Sequence, residues 1–143
     1  MKTTQHLESI LLNTKSKKNL HEYLQHIHPM QNDLNFCNYF NNLEKVKEKG
    51  TSEVCRLSGI ERTYCYHILN GSKDNPGRDK IIRLCLAAQL SFEEAQGALK
   101  ASGNGILYFR NKRDAIITYA INQSLSINET NDLLDHYSLL TLN

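Results

Sequence analysis

Residues 51–71 read TSEVCRLSGIERTYCYHILNG. Gly59 and the pair Asn70-Gly71 punctuate this stretch. They leave one helix over 51–58 and a second over 61–69, joined by a tight connection. Two helices that meet at a steep angle need a small residue in the first, a glycine at the turn and apolar anchors in the second. Cys55 is the small residue and Gly59 makes the turn, while Val54 and Leu57 are expected to face inward. Ile60 seals the turn, and Cys65, Ile68 and Leu69 anchor the second helix. Arg62, Thr63, Tyr66 and His67 are left pointing outward. Helices this short are not stable alone, so the rest of the chain must supply a core for them to pack on.

The surrounding sequence supplies helices. There are only two prolines, Pro29 and Pro76, in 143 residues. Apolar residues recur at three-and-four spacing without period-two alternation, which predicts an all-α fold. Upstream, helices are expected over 4–12, with Leu7, Ile10 and Leu11 on one face, and from residue 19 toward His28, where Pro29 stops the chain. Asp33 is expected to cap a third helix, whose stripe of Phe36, Phe40 and Leu43 runs down to Gly50. Downstream, the polar loop 72–77 leads to a helix over 78–90. Ser91 and Glu94 then form a capping box for another helix, which ends at Gly103-Asn104-Gly105. The 78–102 segment recurs over 113–137, an ungapped shift of 35 (113 minus 78). Arg78-Asp79 meets Arg113-Asp114, Ile81-Ile82 meets Ile116-Ile117, and Ser91 with Glu94 meets Ser126 with Glu129. The matches fall on caps and core positions, so each copy reads as one helical hairpin. The recurring Arg-Asp pair suggests helix capping and local ion pairing more than phosphate binding by Arg78. About nine helices are expected in all.

Bulk properties narrow the function classes. Seventeen basic and fifteen acidic side chains give a formal charge of +2, too little to argue for nucleic-acid binding unaided. No apolar run approaches the roughly 20 residues that cross a bilayer, and the start of the chain lacks a signal-peptide pattern, so a cytoplasmic protein is expected. Cys37, Cys55, Cys65 and Cys85 show no C-x-x-C pair and read as small buried hydrophobes. His21 and His26 bracket an H-E-x-x-x-H run, but a spacing of five turns the second about 140° from the first on a helix, which prevents joint chelation. No phosphate-cradling glycine loop and no nucleophile or paired-carboxylate arrangement is evident, so neither catalysis nor a cofactor or metal is expected.

The small residue at Cys55, the S-G-I-x-R-T turn over 58–63, the L-N-G over 69–71 and the proline and apolar helix that follow resemble the lambda-repressor and Cro-like helix-turn-helix family, the xenobiotic-response-element regulators. The likeness covers roughly residues 34–88. It implies a five-helix DNA-binding domain, for which 34–103 supplies five helices, and a sequence-specific transcriptional regulator, expected to be a repressor. By the same resemblance Arg62, Thr63, Tyr66 and His67 face the major groove, while Thr51 and the loop after the second helix touch phosphates. Arg62 suits bidentate contact with a guanine, Thr63 a thymine methyl or phosphate, and His67 a guanine N7 or the backbone. Tyr66 has a face for sugar and a hydroxyl for phosphate. Lys73 can present its charge to a phosphate, or simply be solvated. Glu61 stands where Ser or Thr is common, and a carboxylate beside DNA is repelled unless it is neutralised or turned aside.

The expected organisation is therefore an N-terminal helical extension over 1–32, a DNA-binding domain over 33–103 and a C-terminal hairpin over 104–143. The last hairpin carries Asp114, Glu129, Asp132 and Asp135 with no Lys or Arg from 114 to the end, a poor face for DNA. It suits dimerisation or partner docking. A homodimer on an inverted-repeat operator in double-stranded DNA is expected, because one recognition helix sees only a few base pairs. The competing reading is a helical-repeat protein-interaction adaptor with a vestigial helix-turn-helix.

Overall fold

The computed structural model describes residues 35–73 and 75–143. The helices expected over 4–12 and from residue 19, the Asp33 cap and the His21–His26 pair lie outside them. Among the described residues there are eight α-helices and no strand. They are α1 Phe36–Asn41, α2 Glu44–Lys49, α3 Thr51–Ser58, α4 Arg62–Asn70, α5 Arg78–Ala87, α6 Phe92–Ala101, α7 Lys112–Asn122 and α8 Ile127–His136.

The single helix expected to run down to Gly50 is two short ones. Asn35, not a residue further upstream, caps α1, its side chain accepting from the Cys37 and Asn38 N–H groups. The break follows from the tandem Asn41-Asn42, whose amides find partners off the helical ladder. Asn41 Nδ2 donates to the Leu69 carbonyl at 2.8 Å, tying α1 to the end of α4. Asn42 Nδ2 reaches back to the Asn38 carbonyl, and Leu43 is extended as it opens α2. Six helices therefore fill the stretch in which five are expected.

The core is continuous from α1 to the end of the chain. Phe36 and Phe40 stack at 5.1 Å between ring centroids and are buried with Val54, Ile68, Ile81, Leu84, Leu99, Ile117 and Leu134. Here α3 packs on α5 and α1 on α6. Gly97 of α6 admits Tyr39, because a methyl there would run into the tyrosine ring, and the Tyr39 hydroxyl donates to the Glu94 carbonyl. Cys55, Cys65 and Cys85 are buried free thiols, as expected. Burial pushes Cys85 up to about 12, so it stays protonated at neutral pH. Cys37 is only half-buried and donates to the Ile68 carbonyl.

The repeat is reproduced in its caps, its helix ends and its tail contacts. Both capping boxes form, Ser91 with Glu94 and Ser126 with Glu129. Gln89 and Ser124, then Gly103 and Ser138, are the left-handed residues that close equivalent helices. Gln96 brackets the backbone of Leu107, and Asn131 accepts from the N–H of Leu142, its counterpart one repeat later.

The Arg-Asp pairs bond across the copies, which overturns the expectation of local pairing. The guanidinium of Arg78 donates twice to Asp114, both at 2.8 Å, and that of Arg113 donates twice to Asp79, at 3.0 and 2.8 Å. Each arginine also anchors its own copy's tail. Arg78 holds the carbonyls of Gly105 and Ile106, and Arg113 those of Leu140 and Thr141. The tail amides then cross over, Tyr108 N–H to Asp114 and Asn143 N–H to Asp79. In a translational array the second copy would pass its bonds on to a third. Here it returns them to the first, so the hairpins are related by an approximate two-fold axis.

Burial pushes the Asp114 and Asp79 carboxyls up. The opposing arginine and a tail N–H outweigh it, and both end below the ordinary value of 3.8. A depressed carboxyl contributes stability above its unfolded pKa, and that contribution is lost as pH falls through the folded one. Stability from the clasp should therefore hold steady above about pH 4 and fall as the pH drops further. Asp114 is 5% exposed but the Arg78 side chain is 27% exposed and keeps two carbonyl partners, so Asp114→Ala should cost about 1 to 3 kcal/mol in urea unfolding at pH 7. A loss under 1 kcal/mol would show the clasp to be incidental.

Candidate nucleic-acid interface

The turn between α3 and α4 is set by Ser58, Gly59 and Ile60. The fully buried Ser58 hydroxyl donates to the Cys55 carbonyl at 2.7 Å and accepts the Ile60 N–H at 3.1 Å, so it closes the turn from inside. Gly59 has φ +70°, the left-handed region that favours glycine. Val54, Cys55, Ile60, Cys65, Ile68 and Leu69 are buried as the spacing predicts. Leu57 is not. It is 36% exposed and Ser58 takes the inward position, because the last turn of so short a helix rotates Leu57 toward solvent.

Glu61 caps α4. Its carboxylate accepts the Tyr64 N–H at 2.8 Å and the Thr63 N–H at 3.0 Å, and these bonds hold the carboxyl below its ordinary range. The charge that would repel a polyanion is turned onto the helix's own unpaired amides, where it serves as the cap that Ser or Thr commonly provides. The helix itself begins at Arg62 and extends through Asn70.

Of the residues singled out from sequence, Arg62, Thr63 and His67 are exposed on α4 and Tyr66 is half-buried beside them. The Arg62 guanidinium lies over the Tyr66 ring, 5.7 Å from its centroid, an arrangement that orients the arginine along the helix. Thr51 is exposed at the start of α3, and Lys73 is exposed just past α4. The Lys73 N–H donates to the His67 carbonyl at 3.0 Å, and its ammonium lies 5.7 Å from the centroid of the Tyr64 ring. Arg56 is engaged by Glu53 on its own helix, and Arg78 by Asp114. Neither adds to this face.

Sequence reasoning missed two residues. Asn70 is exposed at the end of α4, one turn beyond Tyr66 and His67, and its Oδ1 accepts the Ser72 N–H at 2.8 Å, which leaves the amide NH2 outward. Its place beside Gly71 marked it only as a helix breaker, yet its spacing from Tyr66 puts it on the same face. Arg83 of α5 donates to the Ser58 carbonyl at 3.0 Å and to the Leu142 carbonyl at 2.9 Å. It ties the turn to the end of the chain, a positioning role that no local signal reveals.

A Cβ at Gly59 would sit 2.9 Å from Arg83 Nη1 in addition to its positive φ, so Gly59→Ala should destabilise by about 1 to 3 kcal/mol in thermal or urea unfolding. Gly105, outside the positive-φ glycines and with open space around it, is the control: Gly105→Ala should be neutral or stabilising by up to about 1 kcal/mol.

No family model, curated protein or solved structure matches the chain.

Proposed function

We propose that the chain is a sequence-specific DNA-binding regulator, a repressor, that reads the major groove with α4. The observation that carries this reading is the composition of the exposed face of α4. Arg62, Thr63, Tyr66, His67 and Asn70 share it, and the Glu61 carboxylate at its start is folded back as the cap. Arginine, histidine and asparagine hold the donors that base edges accept, and Thr51 and Lys73 flank them as phosphate contacts. With few cations on the face, affinity of a single copy is weak. Two copies on an inverted repeat, with half-sites about 10 base pairs apart, multiply it.

The adaptor reading draws less support from the repeat than it would from an array. The reciprocal clasp closes the two hairpins on each other and leaves no end to which a third could be added in series.

Selection from random duplex DNA should enrich a short inverted repeat, with a log-log salt slope of several units. Arg62→Ala should weaken binding to that site by about 1 to 3 kcal/mol and relax preference at one base position per half-site. Lys73→Ala should weaken binding to all sequences alike and reduce the salt slope by about one. Absence of any enriched site would sink the reading. Uniform loss with Arg62→Ala would transfer base readout to Thr63, Tyr66, His67 or Asn70.

A further inference from the structure

The two-fold repeat permits a comparison that the chain makes with itself. In the first hairpin, Ile81, Leu84 and Ala98 are fully buried or nearly so, because α1 and α3 lie on α6 and α5. Their counterparts one repeat later are Ile116, Tyr119 and Leu133. Tyr119 is 55% exposed, and Ile116 and Leu133 are only half-buried. With Tyr137, 60% exposed, and Leu139 they line an open apolar groove between α7 and α8. The surface that carries two helices in the first copy carries none of the described residues in the second.

We propose that this groove docks an amphipathic helix of a partner protein, with aliphatic anchors on one face and Lys or Arg flanking them. Shape follows from the repeat, since the equivalent face of the first hairpin is filled by short helices. Size decides against a second copy of this chain as occupant. Seven residues line the groove, whereas a stable protein interface uses about 20 to 30 a side, and an apolar groove of this extent suits the few anchors of one helix face. Charge decides the flanks. Glu129 and Asp132 are exposed on α8, one turn and one residue before Leu133, although the Glu129 carboxylate also accepts the Ser126 N–H as a cap. Against these, Lys112 is the one cation lining the groove among the described residues, and residues 114–143 contain no Lys or Arg. Basic flanks complement that rim and acidic ones do not. Tyrosines at the mouth are the residue type on which such contacts concentrate. This surface is independent of the DNA reading, because it lies on the opposite copy of the repeat from the one that carries α1 and α3, on which α4 packs.

The test uses the full chain and three fluorescent stapled helical peptides of one length. The first has Leu at i, i+3, i+4 and i+7 with Lys between, the second replaces Lys by Glu, and the third scrambles the first. The Leu-Lys peptide should bind saturably in the micromolar range by anisotropy, at least tenfold more tightly than the other two. Tyr119→Ser with Tyr137→Ser should weaken it tenfold or more with an unchanged circular dichroism spectrum, while Phe109→Ser, at an exposed site outside the groove, should leave it unaltered. Methyl shifts of Ile116, Leu133 and Leu139 in the unsubstituted chain give the same answer without any variant. Equal binding of the scrambled peptide, no saturable binding, or shifts elsewhere would overturn the proposal. So would a dimer of the chain alone in sedimentation that Tyr119→Ser dissolves, which would assign the groove to a second copy.

Discussion

Two arginines and two aspartates, each pair 35 residues from the other, hold the C-terminal half of this protein closed. Arg78 and Arg113 each spend all three guanidinium nitrogens, two on the other copy's carboxylate and two on tail carbonyls of their own copy, with one nitrogen shared. Planar, forked and always charged, arginine can satisfy such a set where lysine could not. The desolvation of Asp114 and Asp79 is offset only because every strong partner is present at once. Remove one member and its partner's partly buried charge is left without a counter-ion.

That clasp reaches the candidate interface through Arg83 and Leu142. The tail that Arg113 and Asp79 pin down carries Leu142, buried in the core, and its carbonyl accepts from the same guanidinium that donates to Ser58 at the turn. The chain terminus and the turn before α4 are thus braced by one side chain. In the first hairpin α5 and α6 serve as the platform for α1 and α3, while among the described residues nothing covers the matching platform of α7 and α8. Duplication of a hairpin around a two-fold axis produces this asymmetry, since among the described residues only one of the two equivalent faces meets the helices that precede the repeat.

On α4 the electrostatics depend on where one carboxylate points. Glu61 read in sequence is an obstacle to a polyanion, whereas Glu61 folded back onto the Thr63 and Tyr64 amides is a helix cap. The side chains left outward then carry donors and one guanidinium braced on a tyrosine face.

Much of the fold was legible because helix punctuation is local chemistry. Gly59 and Gly71 end their helices in left-handed conformations, and both Ser-x-x-Glu boxes close, since each requires only a few adjacent residues. Period and spacing likewise placed Arg62, Thr63 and His67 on an exposed helix face. Where a residue's partner lies dozens of positions away, sequence was silent or misleading. The amide of Asn41 prefers the Leu69 carbonyl, which helps to split a helix that periodicity alone would continue. Arg78 chooses Asp114 over its neighbour Asp79, because the two-fold packing brings the distant carboxylate within reach of both arms of the fork. Leu57, expected inward, is exposed and Ser58 is buried instead, because burial is decided by the helix packed against them. The repeat itself was visible in sequence, but its symmetry, and with it the uncovered groove, arises only when the second hairpin turns back on the first.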